Sequence, residues 1–335
     1  MKNHLRTLAI SILSLGMLAC QPKDELNLDG IEVNLQLSRF DSILMQTPPE
    51  RISSSWNSML HELDSFPRLF CQHIIDNRNL NDSQCVELLQ RFRTDTMIQH
   101  VGQLTHSTFP SAEPIRQELY SAFRRYKYFF PEHTVPNIIT FISGFNLSIG
   151  IDSTYIYIGL DRFLGPYIKY YSMLGIPKYM QYNMRPDQIA PKAIQAWLMN
   201  DFPRHDSVNN LLSHMLWQAE ILYLTRRLMP ELPDTTLFGF TQDQLRFCTN
   251  NEEMMWTMLI EQKLLFSTNQ FDISKFTHDG PFTSSFSAEA PAKAAVWIGY
   301  NIIQQYMHNN SEVTPANLMQ EDDYQQILEA SRYNP

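Results

Sequence analysis

The chain has 335 residues, of which 44% are hydrophobic, enough apolar material for the core of a folded globular protein. Its 11 glycines are few beside 16 methionines and 20 phenylalanines, which favours packed helices over a glycine-rich nucleotide-binding fold. The net charge is −9 and no run of basic residues occurs, which argues against nucleic acid as a partner. The motifs GxGxxG, GxxxxGKS/T and GxSxG are absent from the sequence.

The N-terminus has the pattern of a bacterial lipoprotein signal. Two basic residues precede an apolar run over residues 8–18, and Ala19 stands directly before Cys20. A charged start, a short apolar core and a small residue before cysteine predict a signal peptide over residues 1–19 and lipid modification of Cys20. The alternative, a transmembrane anchor, requires a longer apolar run of about 18–20 residues.

Residues 20–50 are predicted to contain the lipidated cysteine, a tether and a short strand. The segment after Cys20 is polar and partly acidic, as in linkers, and the alternation at residues 33–37 is typical of a strand. No repeat, low-complexity tract or clear boundary appears after residue 50. We therefore expect residues 51–335 to form a single helix-rich globular domain.

Two further cysteines, Cys71 and Cys85, flank a turn-like segment. In an exported protein they would lie in an oxidising compartment, where a disulfide between them would contribute about 3 kcal/mol to stability. The alternative is that both are small buried thiols, and the sequence leaves the two open. Cys248 has no evident partner, and the absence of CxxC argues against a cysteine zinc site.

Helical periodicity covers most of residues 49–130 and much of the chain after residue 191. Between these regions, two β-branched and aromatic runs at residues 138–142 and 154–158 flank a glycine-containing segment. This arrangement predicts a β-hairpin at the heart of a small sheet. The expected fold class is therefore α+β and predominantly helical.

A long helical pattern without internal glycine or proline covers residues 206–229 and predicts a central helix. Asp206 is available as the N-cap, and Pro230 closes the pattern. One side is a broad apolar arc, and large apolar residues also interrupt the polar side. These features indicate a helix that is covered on more than one face.

Two polar stripes on this helix contain its notable residues. One stripe, at heptad spacing, includes Ser213 and Glu220 and is predicted to be a solvated edge. The other includes His214 and Gln218, which lie one helical turn apart among large apolar side chains. Polar residues in such surroundings need a structural or chemical explanation.

Several short stretches, spread along the chain in order, resemble one known family. They include FISGFN at residues 141–146, IGLDRFLG at 158–165, LLSHM at 211–215 and WIG at 297–299. The family that they resemble is the gliding motility lipoprotein GldB family of Bacteroidetes. That family usually carries Ser-Pro-Gly-Arg before the WIG stretch, whereas this chain has Ala-Pro-Ala-Lys at residues 290–293.

The resemblance extends more remotely to predicted zinc peptidases that carry HExxH on a helix. In that motif, two histidines one turn apart bind zinc, and the glutamate activates the metal-bound water. The corresponding residues here are His214, Met215 and Gln218, so one ligand and the base are replaced. Glu252 or Glu253 would supply a third ligand. The resemblance implies a zinc-peptidase-like (zincin-like) scaffold without its catalytic residues.

Different classes of function remain open at this point. The resemblance implies a non-catalytic component of the gliding motility and associated secretion machinery, exported, anchored to the envelope membrane through Cys20 and bound to envelope proteins, with no cofactor. Its candidate contact surfaces are the aromatic segment at residues 155–182 and the groove beside the central helix, with ordinary core packing as the alternative for those aromatics. The alternatives are a divergent, peptidase-like metal-dependent hydrolase using His214 and Glu252, or a peptide-binding module in the same cleft.

Overall fold

A computed structural model describes residues 26–204 and 208–335. The predicted signal peptide, its Cys20 and the predicted N-cap Asp206 lie outside the described residues. The structure is 59% helical and contains a small four-stranded mixed sheet, which confirms the predicted helix-rich α+β class. Within the described residues, no helix is both long enough and apolar enough to cross a membrane.

Helices occupy both ends of the described chain and surround the sheet. The α-helices are α1 (Phe40–Gln46), α2 (Ile52–Glu62), α3 (Phe66–Leu69), α4 (Asp82–Thr94), α5 (Thr96–Thr108), α6 (Glu113–Phe129), α7 (Lys169–Met173), α8 (Lys178–Gln181), α9 (Ile189–Asp201), α10 (Leu211–Leu228), α11 (Asp234–Phe238), α12 (Gln242–Asn250), α13 (Glu252–Glu261), α14 (Gln270–Thr277), α15 (Ala294–Asn309), α16 (Pro315–Leu318) and α17 (Tyr324–Ser331). Shorter 3-10 turns lie at Pro49–Arg51, Leu160–Phe163 and Pro186–Gln188, and Phe70–Ile75 is π-helical.

The sheet has the strand order β1-β2-β4-β3. Its strands are β1 (Leu37–Arg39), β2 (Asn137–Phe141), β3 (Ile149–Ile151) and β4 (Tyr155–Gly159). The predicted hairpin between the two apolar runs is wrong, because those runs form β2 and β4 and pair in parallel, with Ile138 opposite Ile156. Their connection contains an extra strand, β3, which takes the antiparallel place beside β4. The strand predicted at residues 33–37 lies slightly later, at β1.

Asp161 holds the turn that follows β2. Its Oδ2 accepts hydrogen bonds from the backbone N–H groups of Ser143 (3.1 Å) and Phe145 (2.6 Å). Gly144 and Phe145 both have positive φ angles, 69° and 73°, a conformation that is unfavourable for phenylalanine and needs such support. Burial raises the pKa of Asp161 to about 6, although the two backbone donors oppose the shift. This contact joins the FISGFN and IGLDRFLG stretches.

Three clusters of buried apolar side chains form the interior. One face of the sheet, including Phe141 and Tyr157, packs against the helices before residue 93. The other face, including Ile156 and Ile158, packs against α6 and α9. The third cluster gathers the C-terminal helices around α15. Helix α10 contributes its first half to this third cluster and its second half to the cluster of α6 and α9, which confirms that it is central and covered on more than one face.

Helix α10 starts later than predicted. Its N-cap is Asn210, whose Oδ1 accepts a hydrogen bond from the backbone N–H of Ser213 (2.9 Å), while the Ser213 hydroxyl accepts from the backbone N–H of Asn210 (3.2 Å). This reciprocal capping places the N-terminal end of the helix four residues after Asp206 in the sequence. Val208, which lies within the predicted helix 206–229, precedes the observed helix and is exposed.

Helices α10 and α15 approach each other very closely at Gly299. A Cβ atom at this position would lie 2.9 Å from the backbone oxygen of Met215 and 3.2 Å from the Cβ of Ala219. Both Met215 and Ala219 are fully buried. A glycine is therefore required sterically, and the WIG stretch of α15 acts as a packing element against α10.

We predict that Gly299→Ala lowers the free energy of unfolding by about 1–3 kcal/mol, because the extra methyl group forces the two helices apart. Denaturant unfolding followed by circular dichroism measures the change. Gly280→Ala is the matched control, because its new Cβ would meet nothing closer than 3.9 Å. Equal effects of the two substitutions would contradict the close approach.

We also predict that Asp161→Ala destabilises the fold by about 2–5 kcal/mol, since two buried backbone N–H groups lose their acceptor. Asp152→Ala provides the comparison, because Asp152 also accepts from two backbone N–H groups, those of Thr154 and Tyr155, at a more exposed site. We expect Asp152→Ala to lower the free energy of unfolding by less than Asp161→Ala does. A loss at Asp161 that does not exceed the loss at Asp152 would refute the role assigned to the buried carboxylate.

Candidate functional site

His214 lies in the first turn of α10 and is half-buried. Its Nε2–H donates a hydrogen bond to Asn209 Oδ1 over 2.8 Å, so the nitrogen that would face a metal is in contact with a side chain just before the helix. The next residue, Met215, is fully buried against Gly299 of α15. The position of the HExxH glutamate therefore lies inside a helix–helix interface.

Gln218, at the position of the second HExxH histidine, lines a small cavity. The other walls of this cavity include Gln195, Lys293 and the two aromatic residues Phe238 and Phe240. Gln218 thus faces a polar and aromatic space. That space adjoins a larger cavity, since Lys293, Phe238 and Phe240 line both.

Glu252, the candidate third ligand, is the first residue of α13 and is half-buried. Its Oε1 accepts hydrogen bonds from Asn301 Nδ2 (2.7 Å) and from the Tyr333 hydroxyl (2.5 Å). Burial and the Glu252 carboxylate both raise the pKa of Tyr333, which keeps its hydroxyl a donor. Glu253, the other candidate, is exposed. Glu252 thereby attaches the C-terminal segment to α13 and α15.

The candidate zinc residues are thus engaged in separate local contacts. The partner of His214 lies just before α10, whereas the partners of Glu252 lie on α15 and at the C-terminus. Among residues 26–204 and 208–335, no group of three or more histidine, cysteine, aspartate or glutamate side chains could hold a metal ion.

Cys71 lies in the π-helical segment, and Cys85 lies on α4. Both are fully buried free thiols in the structure, and Cys71 Sγ is 3.8 Å from the backbone oxygen of Cys85. Burial raises the pKa of both thiols, which favours the protonated, unreactive form. The geometry brings the two cysteines together, and the disulfide stays a prediction.

The predicted solvated edge of α10 is wrong. Ser213 is fully buried and Glu220 is only 2% exposed, because neighbouring helices cover this side of α10 as well. Glu220 Oε1 has no hydrogen-bond partner within the described part of the chain. Burial raises the pKa of Glu220 well above its ordinary value, and the negative charge of Glu321 adds to the shift. The uncharged acid is therefore the favoured form in this interior.

A larger cavity, of about 350 Å³, lies between the loop after β4, α9 and the N-terminus of α15. Its charged wall residues are Arg162, Lys192, Lys293 and Asp279, and we call it the cationic cavity. The Lys293 ammonium is 2.8 Å from an Asp279 carboxylate oxygen. Sequence reasoning missed this site, because its members are far apart in the chain.

The aromatic segment at residues 155–182 divides into a buried and an exposed part. Tyr157, Tyr170 and Tyr171 belong to the core, as the core-packing alternative requires. In contrast, Tyr167 is 95% exposed and Met173 is 73% exposed. Further exposed apolar residues of this stretch are Leu174, Tyr179 and Met180. We call these five side chains the apolar patch.

A family model for the gliding motility protein GldB matches residues 21–335, almost the whole chain. The chain belongs to the GldB family. Membership implies an involvement in gliding motility. No curated protein and no solved structure matches this GldB-family chain significantly. The zinc-peptidase-like scaffold and the roles of the individual site residues therefore remain predictions.

One departure from the usual pattern of the GldB family has a structural counterpart. The arginine of Ser-Pro-Gly-Arg corresponds to Lys293, which is the N-cap of α15 and has a left-handed φ of 61°. Lys293 keeps a positive charge at this position and directs it into the cationic cavity. The positive charges of Lys293 and of Arg162 in the IGLDRFLG stretch were the sequence features that could have indicated the cavity.

We predict that Glu220→Met raises the free energy of unfolding at pH 8 by about 1–3 kcal/mol, the typical cost of a buried polar atom without a partner. Because the folded-state pKa is raised, the native protein loses stability as the pH rises above the value of an unfolded glutamate, about 4.3. The gain should therefore be smaller near pH 4. Urea unfolding at both values tests this, and a loss of stability at pH 8 would contradict it.

Proposed function

We propose that the protein is a non-catalytic lipoprotein of the gliding motility machinery, anchored to an envelope membrane through Cys20 and acting by protein–protein contacts. Membership of the GldB family supports the role in motility. The match begins one residue after Cys20, which agrees with a mature protein that starts at this cysteine. The partners are proteins of the gliding and associated secretion apparatus.

The apolar patch is the observation that carries the proposed mode of action. Monomeric proteins rarely expose large apolar side chains close together, and such groups mark surfaces that bind other proteins. Here five of them lie within residues 167–180, on and around the short helices α7 and α8. Tyrosine and methionine are also residue types that are enriched at protein interfaces.

The contacts of the peptidase-motif residues support the absence of catalysis. A general base at position 215 would be buried between α10 and α15, where neither water nor substrate could reach it. His214 and Glu252 each make local hydrogen bonds that stabilise a helix start and the C-terminal segment. Packing and anchoring thus account for these positions without a reaction.

The tether limits where the contacts can be made. Arg124 of α6 donates hydrogen bonds to the backbone oxygens of Leu28 (2.6 Å) and Ile31 (2.8 Å), which fixes the start of the described chain against the fold. The chain from Cys20 to Leu28 spans at most about 30 Å when fully extended. A lipid on Cys20 would therefore keep the folded part close to the membrane surface.

Substitution of the apolar patch tests the proposal. We expect a variant with serine at Tyr167, Met173 and Leu174 to lose at least about tenfold of the envelope protein that co-purifies with wild type, because apolar anchors dominate binding energy. The matched control carries serine at Tyr128, Met199 and Phe282, which are exposed apolar residues of separate segments. Quantitative mass spectrometry of the co-purified proteins measures the loss.

Two results would contradict this proposal. One is a patch variant that retains its co-purifying proteins at wild-type amounts. The other is a folded patch variant that retains its co-purifying proteins but no longer binds lipid vesicles. The vesicle assay is carried out with Cys20→Ser, which removes the lipid anchor. The second result would assign the patch to the membrane. Thermal unfolding of all variants ensures that they are compared in the folded state.

A further inference from the structure

The cationic cavity has a charge opposite to that of the whole chain. Its lining contains three cations, Arg162, Lys192 and Lys293, and a single carboxylate, Asp279, in a protein with a net charge of −9. Arg185 lies nearby, but it already pairs with Asp187 at 3.1 Å and stacks on the Tyr182 ring. The excess positive charge is therefore concentrated inside the cavity.

Arg162 is held in place and still has donor capacity. Its Nη1 donates to the backbone oxygen of Phe145 (3.2 Å), in the turn that the neighbouring Asp161 holds. Its Nε is buried and has no hydrogen-bond partner in the described chain. Arg162 also lines the cavity, and an oxyanion is the acceptor that a guanidinium group binds most strongly.

Lys192 on α9 has no hydrogen bond and no ion pair with any described residue. Burial lowers the pKa of its ammonium group, and the cations Lys293, Arg162 and Arg185 lower it further, against the opposing effect of Asp279. A bound anion would raise the pKa of this amine, because a nearby negative charge favours the ammonium form. Asp279 is already shared with Lys293.

Part of the remaining wall is aromatic and fits an apolar or aromatic body. Tyr182, Phe238 and Phe240 line the cavity, whose volume of about 350 Å³ is in the range of small-molecule sites. We propose that the cationic cavity binds a phosphate group of a small ligand, with Arg162, Lys192 and Lys293 as the oxyanion contacts and the aromatic wall around its body. This goes beyond the proposed function.

The same oxyanion chemistry could come from a free metabolite or from a lipid headgroup. A lipid headgroup fits this position, because Tyr179 and Met180 belong both to the lining of the cavity and to the apolar patch. Phenyl phosphate represents the free ligand, and soluble dihexanoyl phosphatidylglycerol represents the headgroup. The ligand that binds more tightly identifies the source, and binding of either ligand supports the oxyanion site.

Isothermal titration of the full chain in a non-ionic detergent tests the site. We expect phenyl phosphate to bind, benzyl alcohol not to bind, and Lys192→Met to weaken binding at least about tenfold, the effect of losing a desolvated ionic contact. Lys192→Arg should retain binding. Lys178→Met is the matched control, because Lys178 is exposed and lies outside the lining.

A second position guards against variants that fail to fold. Lys293→Gln should weaken phenyl phosphate binding, because it removes the positive charge. Lys293→Arg should preserve binding, because it keeps that charge. Thermal unfolding confirms that each variant is folded. The proposal is overturned if neither phosphate ligand binds the wild type, or if Lys192→Met and Lys293→Gln bind as tightly as Lys178→Met.

Discussion

The close contact between α10 and α15 is the constraint on which the C-terminal half of the structure depends. Gly299 lets the backbone of α15 approach the backbone and side chains of α10, with no room for a methyl group. Around this contact, α10 joins the core beneath the sheet to the core of the C-terminal helices. Glycine is unfavourable inside a helix, so the interface, and not helix propensity, explains its presence in α15.

This contact also determines what α10 can do chemically. Residue 215 points into the interface, so the position of a catalytic glutamate serves packing. The polar residues of the same helix serve several purposes. Asn210 and Ser213 cap it, His214 contacts the residue before the cap, and Gln218 lines the space beside the cationic cavity. The described side chains of this helix thus cap it, pack in two clusters of the core and line a cavity.

Local sequence features predicted much of the fold. The helix-rich class and the centrality of residues 211–228 follow from periodicity, and periodicity depends only on nearby residues. Pairing of strands is non-local, which is why the parallel arrangement of β2 and β4 was not predicted. The same holds for β3, which lies between them in the sequence and at the edge of the sheet. The N-cap of α10 is Asn210, and the sequence pattern alone did not identify it because asparagine and aspartate are both good N-cap residues.

The site was less predictable than the fold, for two physical reasons. A polar stripe at heptad spacing usually faces water, but the packing of additional helices on α10 buries Ser213 and Glu220, and no pattern within the helix itself signals those neighbours. The cationic cavity combines Arg162, Lys192 and Lys293 from three separate segments, so its charge is visible only after folding. Single residues could be identified from the sequence, whereas their convergence could not.

Zinc titration of the purified full chain tests most directly whether α10 is a structural element or a metal-binding one. The account predicts no zinc site with a dissociation constant near or below about 1 μM and no difference between wild type and His214→Ala. One zinc ion bound per chain at or below this concentration in the wild type, and lost in His214→Ala with the protein still folded, would contradict it.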